Sequence, residues 1–174
     1  MGAVPPAIAV NLSASQFSAA SLISDIQSTL NAFSIDSERL ELELTESASM
    51  HDPQASIAIM SQLRKMGLKI SIDDFGTGYS NLAYLKRFPV DRLKLDQAFV
   101  RDIVTDPNDL AISRTIIAIA QQLNLEVVAE GVETREQQSL LAQSGCRTVQ
   151  GYLYSPAVPA EKCLSFLQQT FPVH

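Results

Sequence analysis

Five carboxylates and two side-chain amides stand at matching places along the chain, each at or just beyond the end of a short run that alternates apolar and polar residues: Asn11, Glu43, Asp73, Asp74, Glu130, Glu133 and Gln150. Carboxylates gathered in one place repel one another unless cations lie between them. Donors that are all oxygen, with no His or Cys among them, favour Mg²⁺ or Mn²⁺ over zinc. Asp73-Asp74 is the most informative pair, because adjacent carboxylates at a bend can reach two neighbouring metal positions. Two ions about 3.5–4 Å apart activate a water and stabilise a leaving oxygen in phosphoester hydrolysis. Lys94, inward among these acids, is expected to stay protonated and to hold that water or neutralise developing charge. Glu46, three residues after Glu43, is placed either to cap a helix or to order a neighbouring loop. Each acid also has a plainer reading, since an acidic residue at a strand end is commonly solvated or caps the next helix. Their joint placement on several strands is what favours a metal site. The run Phe75-Gly76-Thr77-Gly78-Tyr79-Ser80 has the glycines of a flexible turn but neither the length nor the Lys of a P-loop.

The elements that must position these groups follow from the hydrophobic pattern. Strands are expected at Ile8 to Asn11, Leu40 to Leu44, Lys69 to Asp73, Arg92 to Asp96, Glu126 to Glu130 and Thr148 to Gly151. Helices are expected after them at Ser21 to Phe33, Pro53 to Met66, Asn81 to Phe88, Asp109 to Leu123, Arg135 to Gln143 and Ala160 to Gln169. Strand-helix alternation implies an α/β fold with a mainly parallel sheet. A doubly wound sheet needs central strands that are apolar on both faces. Here Leu42, Leu44, Ile70, Ile72, Leu93 and Leu95 share one face, while Glu41, Glu43, Lys69, Asp73, Arg92 and Lys94 share the other. A TIM-type (β/α) barrel accounts for this if the apolar face meets the helices and the polar face lines the lumen. Charges in such a lumen must be paired, and Lys69 and Arg92 against Glu41 and Glu126 are the expected partners. The strand ends then converge on one rim, the usual active-site face.

With 174 residues, 46% of them hydrophobic, the chain can bury a core as one domain, residues 1–174, but falls short of the roughly 250 residues typical of a complete eight-unit barrel. Thirteen Lys+Arg against nineteen Asp+Glu give a net charge of −6. That balance argues against DNA as a partner and against direct contact with an anionic membrane. Cys146 and Cys163 have no metal-ligand spacing and are expected as unpaired buried thiols. The start Met-Gly-Ala-Val-Pro-Pro lacks the basic and apolar regions of a signal peptide, which points to the cytoplasm, including as part of a membrane-anchored parent protein.

At the residues named above the sequence resembles the EAL family of cyclic di-GMP phosphodiesterases. The matching segments are Asn11-Leu12-Ser13, Glu41-Leu42-Glu43-Leu44-Thr45-Glu46, Asp73-Asp74-Phe75-Gly76-Thr77-Gly78-Tyr79-Ser80, Lys94-Leu95-Asp96, Ala129-Glu130-Gly131-Val132-Glu133-Thr134 and Gln150-Gly151-Tyr152. The resemblance implies a barrel that opens one phosphodiester bond of cyclic di-GMP to give linear pGpG with Mg²⁺ or Mn²⁺, as two ions. It implies Asn11, Glu43, Asp73, Asp74 and Glu130 as metal ligands, Lys94 beside the nucleophilic water, and Glu133 and Gln150 as supports of the metal and water site. Glu46 matches the residue that holds the Asp-Phe-Gly-Thr-Gly-Tyr-Ser loop, which the family links to metal binding and to dimer formation. No Glu-Ala-Leu tripeptide occurs in the chain. The resemblance therefore implies an EAL domain lacking its N-terminal portion, an incomplete barrel of about six of eight strand-helix units. Its activity is expected to be impaired, and its open edges to be covered in a homodimer or higher oligomer. A cyclase or sensory domain in the parent protein is a further expectation. The competing expectation is a noncatalytic cyclic di-GMP receptor or regulatory protein-interaction module.

Overall fold

A computed structural model of the chain describes residues 7–78 and 81–167, with the side chains of 164–167 left aside. Tyr79 and Ser80 of the glycine-rich loop, and the end of the expected helix at 168–169, lie outside the described residues. The strands are β1 (Ile8–Leu12), β2 (Leu40–Thr45), β3 (Lys69–Phe75), β4 (Arg92–Leu95), β5 (Glu126–Ala129) and β6 (Thr148–Val149). The helices are α1 (Ala14–Phe17), α2 (Leu22–Phe33), α3 (Glu46–Met50), α4 (Pro53–Lys65), α5 (Leu82–Leu85), α6 (Gln97–Arg101), α7 (Pro107–Gln122), α8 (Arg135–Gln143) and α9 (Ala160–Leu167), with a short 3₁₀ turn at Ser37–Arg39.

All strand pairs are parallel and their spatial order is β1-β2-β3-β4-β5-β6. Sequential order without a reversal is the winding of a barrel wall, whereas a doubly wound sheet has a switch point. The described chain is thus an α/β arc of six units of a TIM-type barrel, with β1 and β6 at its two margins.

The alternation in sequence is what directs the two faces. Leu44, Ile70, Leu93, Leu95 and Ala129 are fully buried and pack with Met60 and Leu63 of α4, Ile117 and Ala120 of α7 and Leu141 of α8. Each of the Leu, Ile and Met side chains among them is worth roughly 1.5–3 kcal/mol by removal from water. The helices begin where the sequence signals: Asp52 and Asp106 accept bonds from Ala55 N (3.1 Å) and Asn108 N (2.8 Å), each followed by a proline in the first turn. Gly67, at φ +91°, ends α4 in the left-handed region.

The opposite face buries Glu41, Glu43, Ser71, Asp73 and Lys94. Arg92 closes on Glu41 and, at 2.6 Å, on Glu126. Burial works against its charge, but these two acids outweigh it and push the guanidinium pKa upward. The expected pairing of Lys69 does not form. Lys69 is in register with Glu41, but Arg92 already holds that carboxylate, and among the described residues Lys69 makes no ion pair. At the β1 margin Ile8 and Val10 remain 63% and 45% exposed, beside an apolar groove of about 410 Å³ between β1, β2 and α2.

Candidate active site

The geometry of the rim turns on an irregularity in β3. Ile72 pairs with Leu93 and Phe75 with Leu95, so two residues, Asp73 and Asp74, face the single Lys94. This is a β-bulge, which re-aims side chains at a strand end. Asp74 takes φ +54° to make it, and its backbone N–H donates to Asp73 Oδ1 at 3.0 Å. Aspartate tolerates the left-handed region better than most residues. Strict alternation would turn the two carboxylates to opposite faces; the bulge brings both to the lumen.

Lys94 is the hub. Its Nζ lies 2.7 Å from Glu43 Oε2, 3.1 Å from Asp73 Oδ1 and 2.8 Å from Glu130 Oε1, so β2, β3 and the residue after β5 are tied to β4 through one ammonium. Burial disfavours that charge, but the bonds to Glu130 and Glu43 and the charges of Glu130 and Asp73 outweigh it and raise the lysine pKa strongly. An ammonium so held cannot act as a base near neutrality. Glu130 is displaced upward, first by burial and then by the charges of Asp73 and Glu43 acting against Lys94. Asp74 moves upward for the same first reason, helped by Asp73 and by the neighbouring Asp96.

Carboxylate oxygens of Asp73, Asp74 and Glu130 lie within 4.8 Å of one another. Their donor set is all oxygen and anionic, which fits Mg²⁺ or Mn²⁺. Glu43 joins them through Lys94, and Asn11 stands opposite Glu43 in the β1–β2 register, at the exposed margin. Glu133 and Gln150 line a cavity of about 330 Å³ together with Asp74 and Glu130. Gln150 is held there by N–H donation to Ala129 O (2.8 Å) and by its own carbonyl accepting from Val132 N (3.1 Å).

Glu46 does not face this cluster. It opens α3, capped by Thr45, and is buried, with Oε2 accepting from Gly76 N at 3.0 Å. The cap of α3 is thus Thr45, while the Glu46 carboxylate bonds the loop backbone. A Cβ on Gly78 would sit 3.3 Å from Glu46 Cδ, and one on Gly76 would meet Ile116 Cδ1 at 2.8 Å, so the loop is clasped between α3 and α7.

Asp96 and Tyr152, which fall in the matching segments without an assigned role, and Gln97, which sequence did not mark, also line the cavity. Asp96 is not the last strand residue but the N-cap of α6, its Oδ1 accepting from Ala98 N at 2.6 Å. The Lys94-Leu95-Asp96 spacing, two residues apart on one face, was the signal available for it.

Residues 2–157 match the family model described as EAL domain. The chain is 49% identical over 158 residues to the bifunctional diguanylate cyclase/cyclic di-GMP phosphodiesterase MucR of Pseudomonas aeruginosa, covering 91% of this chain and 23% of that protein. The solved PaMucR phosphodiesterase in complex with c-di-GMP superposes with a TM-score of 0.88 at 48% identity, covering 90% of this chain and 64% of that one. Klebsiella pneumoniae BlrP1, solved with manganese and cyclic di-GMP, gives a TM-score of 0.79 at 34% identity, covering 86% of this chain and 38% of that one. The chain therefore spans about a quarter of the curated relative it matches. Among the described residues no helix is long and apolar enough to cross a membrane.

Proposed function

The chain belongs to the EAL domain family, and on that premise we propose that it takes part in hydrolysis of one phosphodiester bond of cyclic di-GMP, giving linear pGpG with two Mg²⁺ or Mn²⁺ ions. The observation that carries this is the gathering of Asp73, Asp74 and Glu130 at the rim, with Lys94 bonded to Asp73 and Glu130. In this reading residues 1–174 form a single EAL-type domain. Asp73, Asp74, Glu130, Glu43 and Asn11 would hold the ions. When bound, divalent ions make water a stronger nucleophile and offset charge on the phosphodiester.

The chain's own residues do the rest. Lys94, kept protonated by its three acids, fixes Glu43, Asp73 and Glu130 relative to one another and offsets negative charge gathering at the phosphate. Glu133 and Gln150 border the cavity and orient water, and Glu46 keeps the loop that follows Asp74 in its competent form. Because the Glu-Ala-Leu tripeptide is absent, one carboxylate ligand of the family is missing. The isolated chain is therefore expected to turn over far more slowly than a complete domain.

The same loop packs against α7, whose Ile112 is 39% exposed near Leu82, 48% exposed, on α5. This apolar face is proposed as the homodimer surface. A cyclase domain in the parent is supported by the bifunctional name of MucR. The proposed setting is the cytoplasm, including within a membrane-anchored parent, with neither DNA nor the bilayer as a direct partner.

The test is incubation with cyclic di-GMP and Mn²⁺ followed by chromatography of the nucleotides. Slow appearance of pGpG, abolished by EDTA and by Asp73→Asn, is expected. Binding measured by calorimetry with no product, in the chain and in a complete domain alike, would instead establish a noncatalytic receptor. Absence of both binding and product would refute either reading.

A further inference from the structure

One buried side chain of α8 uses its full hydrogen-bonding capacity to join two segments that border the carboxylate cavity. Gln137 is 5% exposed. Its Oε1 accepts from Glu133 N at 2.8 Å and Thr134 N at 2.9 Å, and its Nε2 donates to Val100 O at 3.2 Å and Arg101 O at 3.1 Å. A side-chain amide offers two donors and two acceptor sites, so nothing is left over. With N–H groups on one side and carbonyls on the other, only one orientation of the amide satisfies all of them.

Part of this arrangement is a helix cap. Thr134 opens α8 and its hydroxyl accepts from Gln137 N at 3.2 Å, while Gln137 Oε1 returns to Thr134 N, which makes a capping box. A glutamate serves that box as well as a glutamine does. The amide is needed at its far end, where the two carbonyls that close α6 are met only by a donor. What it joins are two walls of the site. Residues 130–134 carry Glu130 and Glu133 and turn at Gly131, φ +67°, so close to α6 that a Cβ there would fall 2.6 Å from Gln97 Cβ. Asp96 and Gln97 bring the start of α6 to the cavity, and Phe99 lies against the loop after Asp74, 3.0 Å from where a Cβ on Gly76 would be. We infer that Gln137 is a positioning residue: by fastening residues 130–134 to the end of α6, it sets where Glu130 and Glu133 stand relative to Asp73 and Asp74. This rests on the reading of the rim as a metal site and deepens it, because Gln137 acts on the ions only through those two glutamates.

The experiment measures the Kd of the full chain for Mn²⁺ alone by calorimetry, well below every Tm, for wild type, Gln137→Glu, Gln137→Met and Leu141→Ala. Gln137→Glu keeps the capping acceptor and loses both donations to α6, whereas Gln137→Met keeps the shape and loses both ends. Removing a group that orients metal ligands costs about 10- to 100-fold in affinity, so both variants are expected to bind Mn²⁺ at least about tenfold more weakly. Leu141→Ala empties a fully buried position of the same helix, and is expected to lower Tm while leaving the Mn²⁺ Kd unchanged. That contrast separates positioning from stability. Wild-type-like Mn²⁺ binding by Gln137→Glu or Gln137→Met overturns the inference, as does equal weakening in Leu141→Ala. No nucleotide is present in this measurement, so failure of the wild type to cleave cyclic di-GMP overturns the proposed activity alone. A wild type that binds no Mn²⁺ overturns the metal site, and this role with it.

Discussion

Replacing Lys94 by methionine removes one ammonium and leaves three carboxylates facing one another. Lys94 is 5% exposed, and Glu43, Asp73 and Glu130 lie 2.7, 3.1 and 2.8 Å from its nitrogen. Methionine fills much of the same volume, so the change is one of charge more than of packing. Breaking a buried ion pair by deleting one partner costs about 3–5 kcal/mol, because the remaining charge is uncompensated. For a chain of this size about 1 kcal/mol moves Tm by about 2–4 °C, so metal-free Lys94→Met should melt about 6–20 °C below wild type. The same three carboxylates then become a stronger site for a divalent cation, since no ammonium competes for them. Mn²⁺ is therefore expected to raise the Tm of Lys94→Met by more than it raises that of wild type, while pGpG formation is lost. Scanning calorimetry with and without Mn²⁺ reads both quantities, and Lys94→Met/Glu43→Gln should recover part of the metal-free loss. Equal melting of Lys94→Met and wild type without metal, or a smaller Mn²⁺ shift in the variant, would refute the account of Lys94 as the counter-ion of the rim.

Glu46→Ala removes a charged acceptor from Gly76 N and is expected to cost about 1.5–3 kcal/mol in urea unfolding, with faster hydrogen exchange at Gly76. In the metal-free protein the raised pKa values of Asp74 and Glu130 mean that folding favours their protonated forms. Their contribution is fully present below the ordinary carboxylate range and lost as pH rises above it through their raised values, so Asp74→Asn should gain stability relative to wild type as pH rises from the ordinary carboxylate range toward neutrality. Saturating Mn²⁺ should reverse that order, because ligands must be deprotonated to bind. Ile112→Lys, on the exposed apolar face, is expected to shift the protein toward monomer in light scattering without lowering its Tm by more than about 2 °C. A stable wild-type monomer at high concentration would remove the dimer surface from consideration.

Much of the fold was legible because parity and punctuation agree. Leu42, Leu44, Ile70, Ile72, Leu93 and Leu95 alternate with charges, and Asp52-Pro53 and Gly67 bound α4 as their chemistry requires. The shorter pieces were not legible. α3 and α6 are single turns begun at Glu46 and Gln97 by the caps Thr45 and Asp96, too short to show a periodic stripe. The bulge was foreseen only as a bend: alternation assigns Asp73 and Asp74 to opposite faces, and a left-handed Asp74 leaves no mark in a one-residue pattern. Lys69 was misassigned because register puts it opposite Glu41, whereas reach decides the pairing, and the long guanidinium of Arg92 crosses to that carboxylate instead.

Type, face and burial do not by themselves distinguish a structural carboxylate from a reactive one in this lumen. Glu41 and Glu43 are the same residue on the same face of β2, 4% and 8% exposed. What separates them is the charge around each. In the lower tier one guanidinium meets Glu41 and Glu126, with Lys69 in register beside them, so the excess negative charge is small. In the upper tier Lys94 alone faces Glu43, Asp73 and Glu130, and the bulge adds Asp74, leaving three more carboxylates than cations. Such an excess can be relieved by protonation, which is the direction in which Asp74 and Glu130 move, or by a divalent cation. A single inserted residue in β3 thereby raises the excess on the rim from two carboxylates to three and supplies the third member of the Asp73, Asp74 and Glu130 group. Deleting the bulge, by removing Asp74 from the chain, should leave the Arg92 tier and the apolar outer face in place while abolishing the Mn²⁺-dependent rise in Tm. Persistence of that rise would mean that the excess charge on the rim does not depend on the irregularity in β3.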